Sequence, residues 1–238
     1  EYDIIWGRHI KISECTLSKE TQDLLYRYFA AAANLYGVIE IGKLLKIYNS
    51  QNEPVSEEDF LSFVENMNFK GKYFCVFNQD DIYDDGSETP ALEQEILAEY
   101  LYFFEFDDDS LDKYEMLKYR QIGKKFCVLD KEQFLRYKDD CYFKKTPDFL
   151  EMRSFLRNET GLSKEDADDY ANDIMICFAT QPDNSEESVY EVILESGIYN
   201  RDDIAFSHRK LEYLCQKVMY TSAGLHVLLG HTPEEIFG

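Results

Sequence analysis

The chain has 238 residues, of which 25 are Lys or Arg and 47 are Asp or Glu, so its formal net charge is −22. Its hydrophobic content of 45% and aromatic content of 15% are enough to build a core, which argues against intrinsic disorder. This charge repels phosphate, so it disfavours non-specific binding to nucleic acid and to anionic membranes. The length allows one large domain or two small ones.

The first part of the chain predicts an arm, three helices and a β-hairpin. Residues 1–19 contain a short apolar run and form the arm. Ser18, Gly37 and Ser56 stand where helix caps are expected, and apolar residues recur at helical spacing after each start. We expect helices at about 18–37, 41–48 and 56–67, a strand at 72–77 and a return strand from Ile82. Three helices followed by a hairpin is the order of a winged helix, which predicts a winged-helix-like domain at residues 20–87.

The second part of the chain predicts a helical domain at residues 88–238. The turn-rich segment 84–90 is the expected linker. Beyond it, periodicity and caps predict a long helix at 91–104, further helices beginning near residues 110, 130, 146, 163, 185 and 203, and a terminal turn from Thr232. The predicted fold class is mainly α with a small β-hairpin: a winged-helix-like N-terminal domain followed by an irregular helical bundle.

The cysteines and the apolar runs bear on the location of the protein. The six cysteines, at positions 15, 75, 127, 141, 177 and 215, include no CxxC pair, and most have apolar neighbours. This usage indicates buried, reduced thiols in a cytoplasmic protein. The longest apolar runs, such as residues 29–33, are far too short to span a bilayer. We therefore expect a cytoplasmic protein with no membrane partner.

The third predicted helix is acidic where a DNA reader needs donors. In a helix-turn-helix fold the recognition helix enters the major groove and contacts phosphates and base edges. Residues 56–67 contain four acidic residues, Glu57, Glu58, Asp59 and Glu65, and no Lys or Arg. Lys43, Lys46, Lys70 and Lys72 form a modest positive rim nearby, which is interpreted either as a phosphate contact or as solvated surface. The pattern favours a winged helix that contacts protein.

The motifs of common enzyme classes are missing from the sequence. The four histidines form no HExxH, and His226 and His231 are five residues apart, off a shared helical face. No GxSxG, GxxxxGK[ST] or GxGxxG occurs, so serine hydrolases and common nucleotide-binding folds have no support. The acidic segment 80–86 departs from the EF-hand spacing and is interpreted as a hairpin turn. We predict no catalytic residue, no metal ligand and no cofactor.

Three segments of the chain resemble a known group of proteins. Residues 34–39 running into 44–49, residues 143–149 and residues 230–237 together resemble uncharacterised bacterial proteins whose helical region precedes a SEC-C zinc motif. The sequence stops at Gly238 before any cysteine-rich zinc segment, so the resemblance implies no metal site in this chain. It implies a helical module of unknown activity attached to a winged-helix-like domain.

Four functional hypotheses follow from the sequence. The leading one is a non-enzymatic, acidic interaction module that binds another protein, with a homodimer as one form of that partnership. The second is a nucleic-acid-linked regulator that uses the lysine rim locally. The third is an acidic mimic of DNA, which requires rows of carboxylates on one face. The fourth is an unrecognised enzyme, which requires a cleft with convergent polar groups.

Overall fold

The structure is a computed structural model that describes residues 15–67, 72–83, 86–101, 108–139, 142–179, 181, 185–200, 206–223 and 225–237. The predicted arm therefore lies mostly outside the described residues. Within these ranges the chain is mainly α, with eleven α-helices and one small antiparallel sheet of three strands. The predicted fold class of a mainly α protein with a small β-hairpin is confirmed.

The elements of the first part are α1 (Lys19–Tyr36), β1 (Val38–Glu40), α2 (Ile41–Gln51), α3 (Glu57–Glu65), β2 (Phe74–Phe77), α4 (Gln79–Tyr83) and β3 (Glu95–Ala98). The second part contains α5 (Asp108–Gln121), α6 (Lys131–Phe134), α7 (Pro147–Glu159), α8 (Lys164–Phe178), α9 (Glu186–Glu195), α10 (His208–Thr221) and α11 (Pro233–Phe237). Short 3-10 turns lie at Ala91–Glu93, Glu99–Leu101, Leu135–Lys138, Ile198–Asn200 and His226–Leu228.

Local capping explains where many of the helices begin. The side chains of Ser18, Ser56, Asp130, Thr146, Ser163 and Ser185 each accept a hydrogen bond from the backbone N–H three residues later. These bonds satisfy N–H groups that have no partner inside the helix. At the other end of α1, Gly37 takes a positive φ of 71° that favours glycine. The starts predicted at these caps are confirmed.

The sheet differs from the predicted hairpin. β3 lies between β1 and β2 and pairs antiparallel with both, so that Leu97 opposes Val38 on one side and Cys75 on the other. The return strand predicted at Ile82 is wrong, because Asn78 and Asp81 form a reciprocal cap that begins α4 there instead. Asn78 Oδ1 accepts from the Asp81 N–H at 3.0 Å, and Asp81 Oδ2 accepts from the Asn78 N–H at 2.9 Å.

The long helix predicted at 91–104 is also wrong. Residues Glu95–Ala98 form the central strand, and all four of its residues are buried. A short apolar run buried on both faces cannot be told from a helix by periodicity alone. The central strand of the sheet therefore comes from beyond residue 87, where the predicted winged-helix-like domain ends.

Helix α1 is the centre of one continuous core. The Phe29 ring lies 5.7 Å from that of Phe60 on α3 and 5.9 Å from that of Phe74 on β2. On another side, the Tyr28 ring lies 5.2 Å from that of Phe134 on α6. Buried residues from both predicted domains belong to the same cluster, so the two parts of the chain share their core.

The bundle α7–α10 is held by apolar packing and by ion pairs on its surface. Lys217 of α10 places Nζ 2.9 Å from an oxygen of Asp148 and 2.7 Å from one of Glu151, both on α7. Lys210 Nζ is 2.6 Å from Glu159 at the end of the same helix. Among the described residues, no helix has the length and apolar character needed to cross a bilayer.

The C-terminal segment packs into the end of α1. His226 is 2% exposed, and its Nδ1 donates to the carbonyl oxygen of Leu35 at 3.3 Å. Gln121 Nε2 donates to the carbonyl oxygens of Tyr36 and His226 at 3.1 and 3.0 Å. A Cβ at Gly37 would lie 2.8 Å from the His226 ring. This histidine is therefore a structural residue that ties residues 225–230 to α1.

Candidate functional site

The outer surface of α3 carries negative charge. Phe60 and Phe63 of this helix are buried, which turns Glu57, Glu58 and Glu65 outward, and all three are exposed. The helix contains no Lys or Arg. A DNA reader needs cations at this position to replace the counterions of the phosphates. This surface would repel a duplex.

Asp59, the fourth carboxylate of α3, belongs to the cap of the helix. Ser56 Oγ donates to Asp59 Oδ2 at 2.6 Å, and Thr16 Oγ1 donates to the other oxygen. These two hydrogen bonds, that from Ser56 first, hold the pKa of Asp59 below its ordinary value. The group is therefore ionised at neutral pH and adds to the negative charge at the start of α3.

Two of the four predicted lysines lie on α2. Lys43 Nζ is 2.7 Å from Glu40 Oε1, and it also lies 5.5 Å from the centre of the Phe126 ring. Its charge is thus already offset by a carboxylate of β1. Lys46, one turn further along the helix, is exposed.

The other two predicted lysines, at positions 70 and 72, precede β2 in the sequence. Lys72 is exposed, with Nζ 4.7 Å from the centre of the Tyr26 ring on α1. That ring lies 5.1 Å from the ring of Phe63, so Lys72 is near the contact between α1 and α3. Lys70 lies outside the described residues. The rim predicted at positions 43, 46, 70 and 72 remains a prediction.

A groove of about 740 Å³ lies between α8 and a second wall that contains Asp139, Tyr142, Phe143 and Lys145, and we call it the α8 groove. Its lining combines apolar side chains with carboxylates: Asp139, Tyr142, Phe143, Asp169, Asp173 and Ile176. Asn172 and Lys145 complete the lining. Aromatic and aliphatic surface stands beside negative charge here, a combination that can bind a ligand.

The wall formed by α8 follows from the periodicity of the helix. Its buried residues are Ala167, Ala171, Ile174, Met175 and Phe178, which face the core. One exposed stripe runs along successive turns of α8, where residues three or four positions apart lie on the same face. It consists of Asp169, Asn172, Asp173 and Ile176. Ile176 keeps 42% of its surface exposed, so α8 presents an apolar side chain outside the core.

The opposite wall is held in place by α1 and α7. Asn34 donates through Nδ2 to three main-chain carbonyl oxygens at 3.1–3.2 Å, those of Tyr137, Asp139 and Tyr142. The ring of Phe143 packs edge-on against that of Phe149 on α7, 4.9 Å away. Since the main chain and one ring of this wall are anchored to helices, the shape of the α8 groove is preorganised.

Negative charge dominates the α8 groove. Partial burial and the neighbouring charge of Asp169 raise the pKa of Asp173 above its ordinary value. Asp139 pairs with Lys138, which is not part of the lining. Lys145 supplies the lining with one ammonium against three carboxylates.

The structure also shows the roles of three other acidic residues, Asp80, Asp81 and Asp168. Asp80 Oδ1 accepts from the Gly86 N–H at 2.6 Å, and Asp81 caps α4, so these carboxylates stabilise a turn. Arg157 of α7 makes a two-pronged contact with Asp168, which lowers the pKa of that carboxyl. Within the described ranges, no group of three or more His, Cys, Asp or Glu side chains is placed to hold a metal ion.

The α8 groove is not apparent from the sequence alone. The sequence predicts a helix that begins near residue 163, and no prediction used the stripe that runs from Asp169 to Ile176. The sequence does contain a pattern that could have indicated this wall, namely an apolar residue at helical spacing from acidic residues on the exposed face of α8. The second wall depends on contacts of Asn34 with residues more than a hundred positions away, which periodicity does not report. Comparison of the chain with protein-family models, with curated proteins and with solved structures found no match.

Proposed function

We propose that this chain is a non-enzymatic protein-interaction module of the cytoplasm, whose first part is a winged-helix-like unit that does not read DNA. The order α1–β1–α2–α3–β2–α4–β3 departs from that of a winged helix by the short α4, and the position of β3 between β1 and β2 supports the winged-helix interpretation. Of the five cysteines in the described part of the chain, two are buried and three are half-buried, and no two of them are joined by a disulfide, which is in keeping with a reducing compartment.

One observation carries the proposal: α3 presents Glu57, Glu58 and Glu65 to solvent with no cation beside them on the helix. In a winged helix this is the element that would face a nucleic acid. Phosphate and carboxylate repel each other over about 8–10 Å at physiological salt. A protein partner with a basic surface meets no such repulsion, so the acidic face and the net charge of −22 favour it.

The resemblance to proteins with a SEC-C zinc motif gives further support. Two of the segments that carry it meet in the structure, because a Cβ at Gly230 would lie 3.2 Å from Leu35 Cγ. Asn34, in the first of these segments, also bonds to the carbonyl oxygen of Tyr142, next to the segment 143–149. If these segments pack against one another, a protein that keeps one of them has a structural reason to keep all three. On this ground we also propose that the chain shares its helical architecture with these proteins.

A cross-linked pull-down from the native host tests the proposal. The chain serves as bait, the lysate is treated with nuclease, and an unrelated protein of similar size and negative charge serves as the control bait. We expect a protein that is recovered with the chain, that survives nuclease and that is absent from the control. Recovery of nucleic acid alone would contradict the proposal. Recovery of a DNA-binding enzyme that is inhibited by the chain would favour the DNA mimic instead.

A further inference from the structure

The size and shape of the α8 groove suit an extended segment of chain. Its volume of about 740 Å³ lies inside the range of roughly 300–1,000 Å³ that ligand sites occupy. Asp139 on one wall is exposed, as are Asp169 and Asp173 on the other, so the groove opens to solvent. An open groove with an anchored wall can receive a peptide without a large rearrangement.

The apolar part of the α8 groove calls for an apolar side chain in its occupant. Ile176 is 42% exposed, and the rings of Tyr142 and Phe143 are half-buried in the opposite wall. Removing such surface from water is favourable in proportion to its area. A wholly polar ligand would not bury this apolar surface and would not gain the favourable free energy.

The charges of the α8 groove call for a cation beside that apolar side chain. Asp169 and Asp173 lie on the α8 wall, whereas the opposite wall carries Lys145 together with Asp139, which is paired with Lys138. The surplus of negative charge therefore lies on α8. Desolvation and, after it, repulsion by Asp169 raise the pKa of Asp173, and a bound cation would relieve that repulsion. The net charge of −22 would also draw a basic segment toward the molecule. An arginine side chain could contact a carboxylate and stack on the Tyr142 ring.

Other occupants fit these features less well. A metal ion lacks a suitable group of ligands in the described ranges. A second copy of the chain brings the same net charge of −22 and is repelled. A nucleic acid is disfavoured because its phosphates would be repelled by the carboxylates of the groove.

We propose that the α8 groove binds a basic segment of a partner protein, in which an arginine or lysine side chain stands next to a large apolar side chain. This inference rests on the proposed function and names the chemistry of the partner.

A titration of the full chain with a short fluorescent peptide of alternating arginine and leucine tests the inference by anisotropy. One control peptide replaces every leucine by serine, which keeps the charge, and another replaces every arginine by glutamate. We expect saturable binding of the first peptide that weakens with salt. The serine peptide should bind several-fold more weakly, and the glutamate peptide should not bind.

Variants of equal charge locate the site. The groove variant combines Asp139→Asn, Asp169→Asn and Asp173→Asn, all at exposed positions. The control variant combines Glu20→Gln, Glu53→Gln and Glu93→Gln, which are exposed and lie outside the lining of the groove, and it changes the net charge by the same amount. We expect the groove variant to weaken binding about ten-fold or more, because close charge pairs are lost. The control variant should stay within about two-fold, because its residues do not line the groove and contribute only to the net charge.

A third variant, Ile176→Ser, removes apolar surface and no charge, so it should weaken the leucine peptide and leave the serine peptide unchanged. Equal losses in the groove variant and the control variant would overturn the inference, because they would show attraction by net charge alone. Dimers of the wild type that dissociate in the groove variant would also overturn it, because the groove would then bind a second copy. Tight binding of duplex DNA would overturn the proposed function, and it is measured separately.

Discussion

Acidification to about pH 5 should destabilise the folded chain through one buried imidazole, that of His226. This ring is 2% exposed, and burial lowers the pKa of His226 from 6.5 to about 4. As the pH falls through about 6.5, the unfolded chain takes up a proton at this residue while the folded chain does not. The stability that the neutral ring contributes is therefore present above pH 6.5 and is lost as the pH falls toward 4.

The size of the effect follows from the difference between the two pKa values. A separation of about 2.5 units corresponds to about 3 kcal/mol once both states are fully protonated. Between about pH 7.5 and pH 5, linkage gives a loss of about 2 kcal/mol in the free energy of unfolding from this residue alone. The many carboxylates of the chain also titrate in this region, so the effect has to be isolated by comparison with a variant.

Urea denaturation at the two pH values, followed by circular dichroism, measures the effect in the wild type and in His226→Asn. The asparagine amide retains a donor for the Leu35 carbonyl oxygen and cannot titrate. We expect the wild type to lose about 2 kcal/mol more than the variant between the two pH values. Val227→Ala, at a buried neighbour, is the control: it should lower stability at both pH values and keep the wild-type difference. Equal losses in the wild type and His226→Asn would refute the reasoning.

Three substitutions should lower stability in urea denaturation at neutral pH. Gly42→Ala places a Cβ 2.8 Å from the carbonyl oxygen of Leu92 and should cost about 1–3 kcal/mol. Tyr36→Phe removes the hydroxyl that donates to the Cys127 carbonyl oxygen at 2.9 Å and should cost about 1–2 kcal/mol. Asn34→Ala removes the donor shared by three carbonyl oxygens, should cost about 1–3 kcal/mol, and should also weaken peptide binding by loosening one wall of the α8 groove.

Exposed positions of the same residue type provide controls for two of these variants. Tyr119→Phe, at a side chain that is 76% exposed, and Asn158→Ala, at an exposed hydrogen bond, should each change stability by less than about 0.5 kcal/mol. A Gly42→Ala variant as stable as the wild type would contradict the close approach of residues 91–93 to α2. An Asn34→Ala variant that binds peptide as tightly as the wild type would contradict the role of Asn34 in the groove.

Features that depend on nearby residues were predictable from the sequence. The starts of α1, α3 and α7–α9 follow from a Ser or Thr cap whose partner lies three residues away, so the pattern and its cause lie in the same few residues. The acidic face of α3 was predictable for the same reason, since helical spacing assigns Phe60 and Phe63 to the core and the glutamates to solvent. The apolar run 95–98 carried no such local information, and it was wrongly assigned to a helix.

Features that depend on distant contacts were not predictable. Nothing in the sequence indicates that Asn34 bonds to the carbonyl oxygens of residues 137, 139 and 142, or that the His226 ring packs against Gly37. Both contacts form when the C-terminal half packs against α1. The α8 groove needs two walls that are separated along the chain, and periodicity reports one wall at a time. The resemblance of residues 34–39, 143–149 and 230–237 to one group of proteins was the sole sequence feature that joined these regions.

The central claim is that α3 presents carboxylates where a DNA-reading helix would present cations. A titration of the full chain into a fluorescent DNA duplex at about 0.15 M salt tests it most directly. The account predicts no saturable change in anisotropy with the wild type. Saturable, tight binding that is lost on Lys46→Glu and Lys72→Glu would contradict it, because the lysine rim would then bind phosphate in spite of the acidic helix beside it.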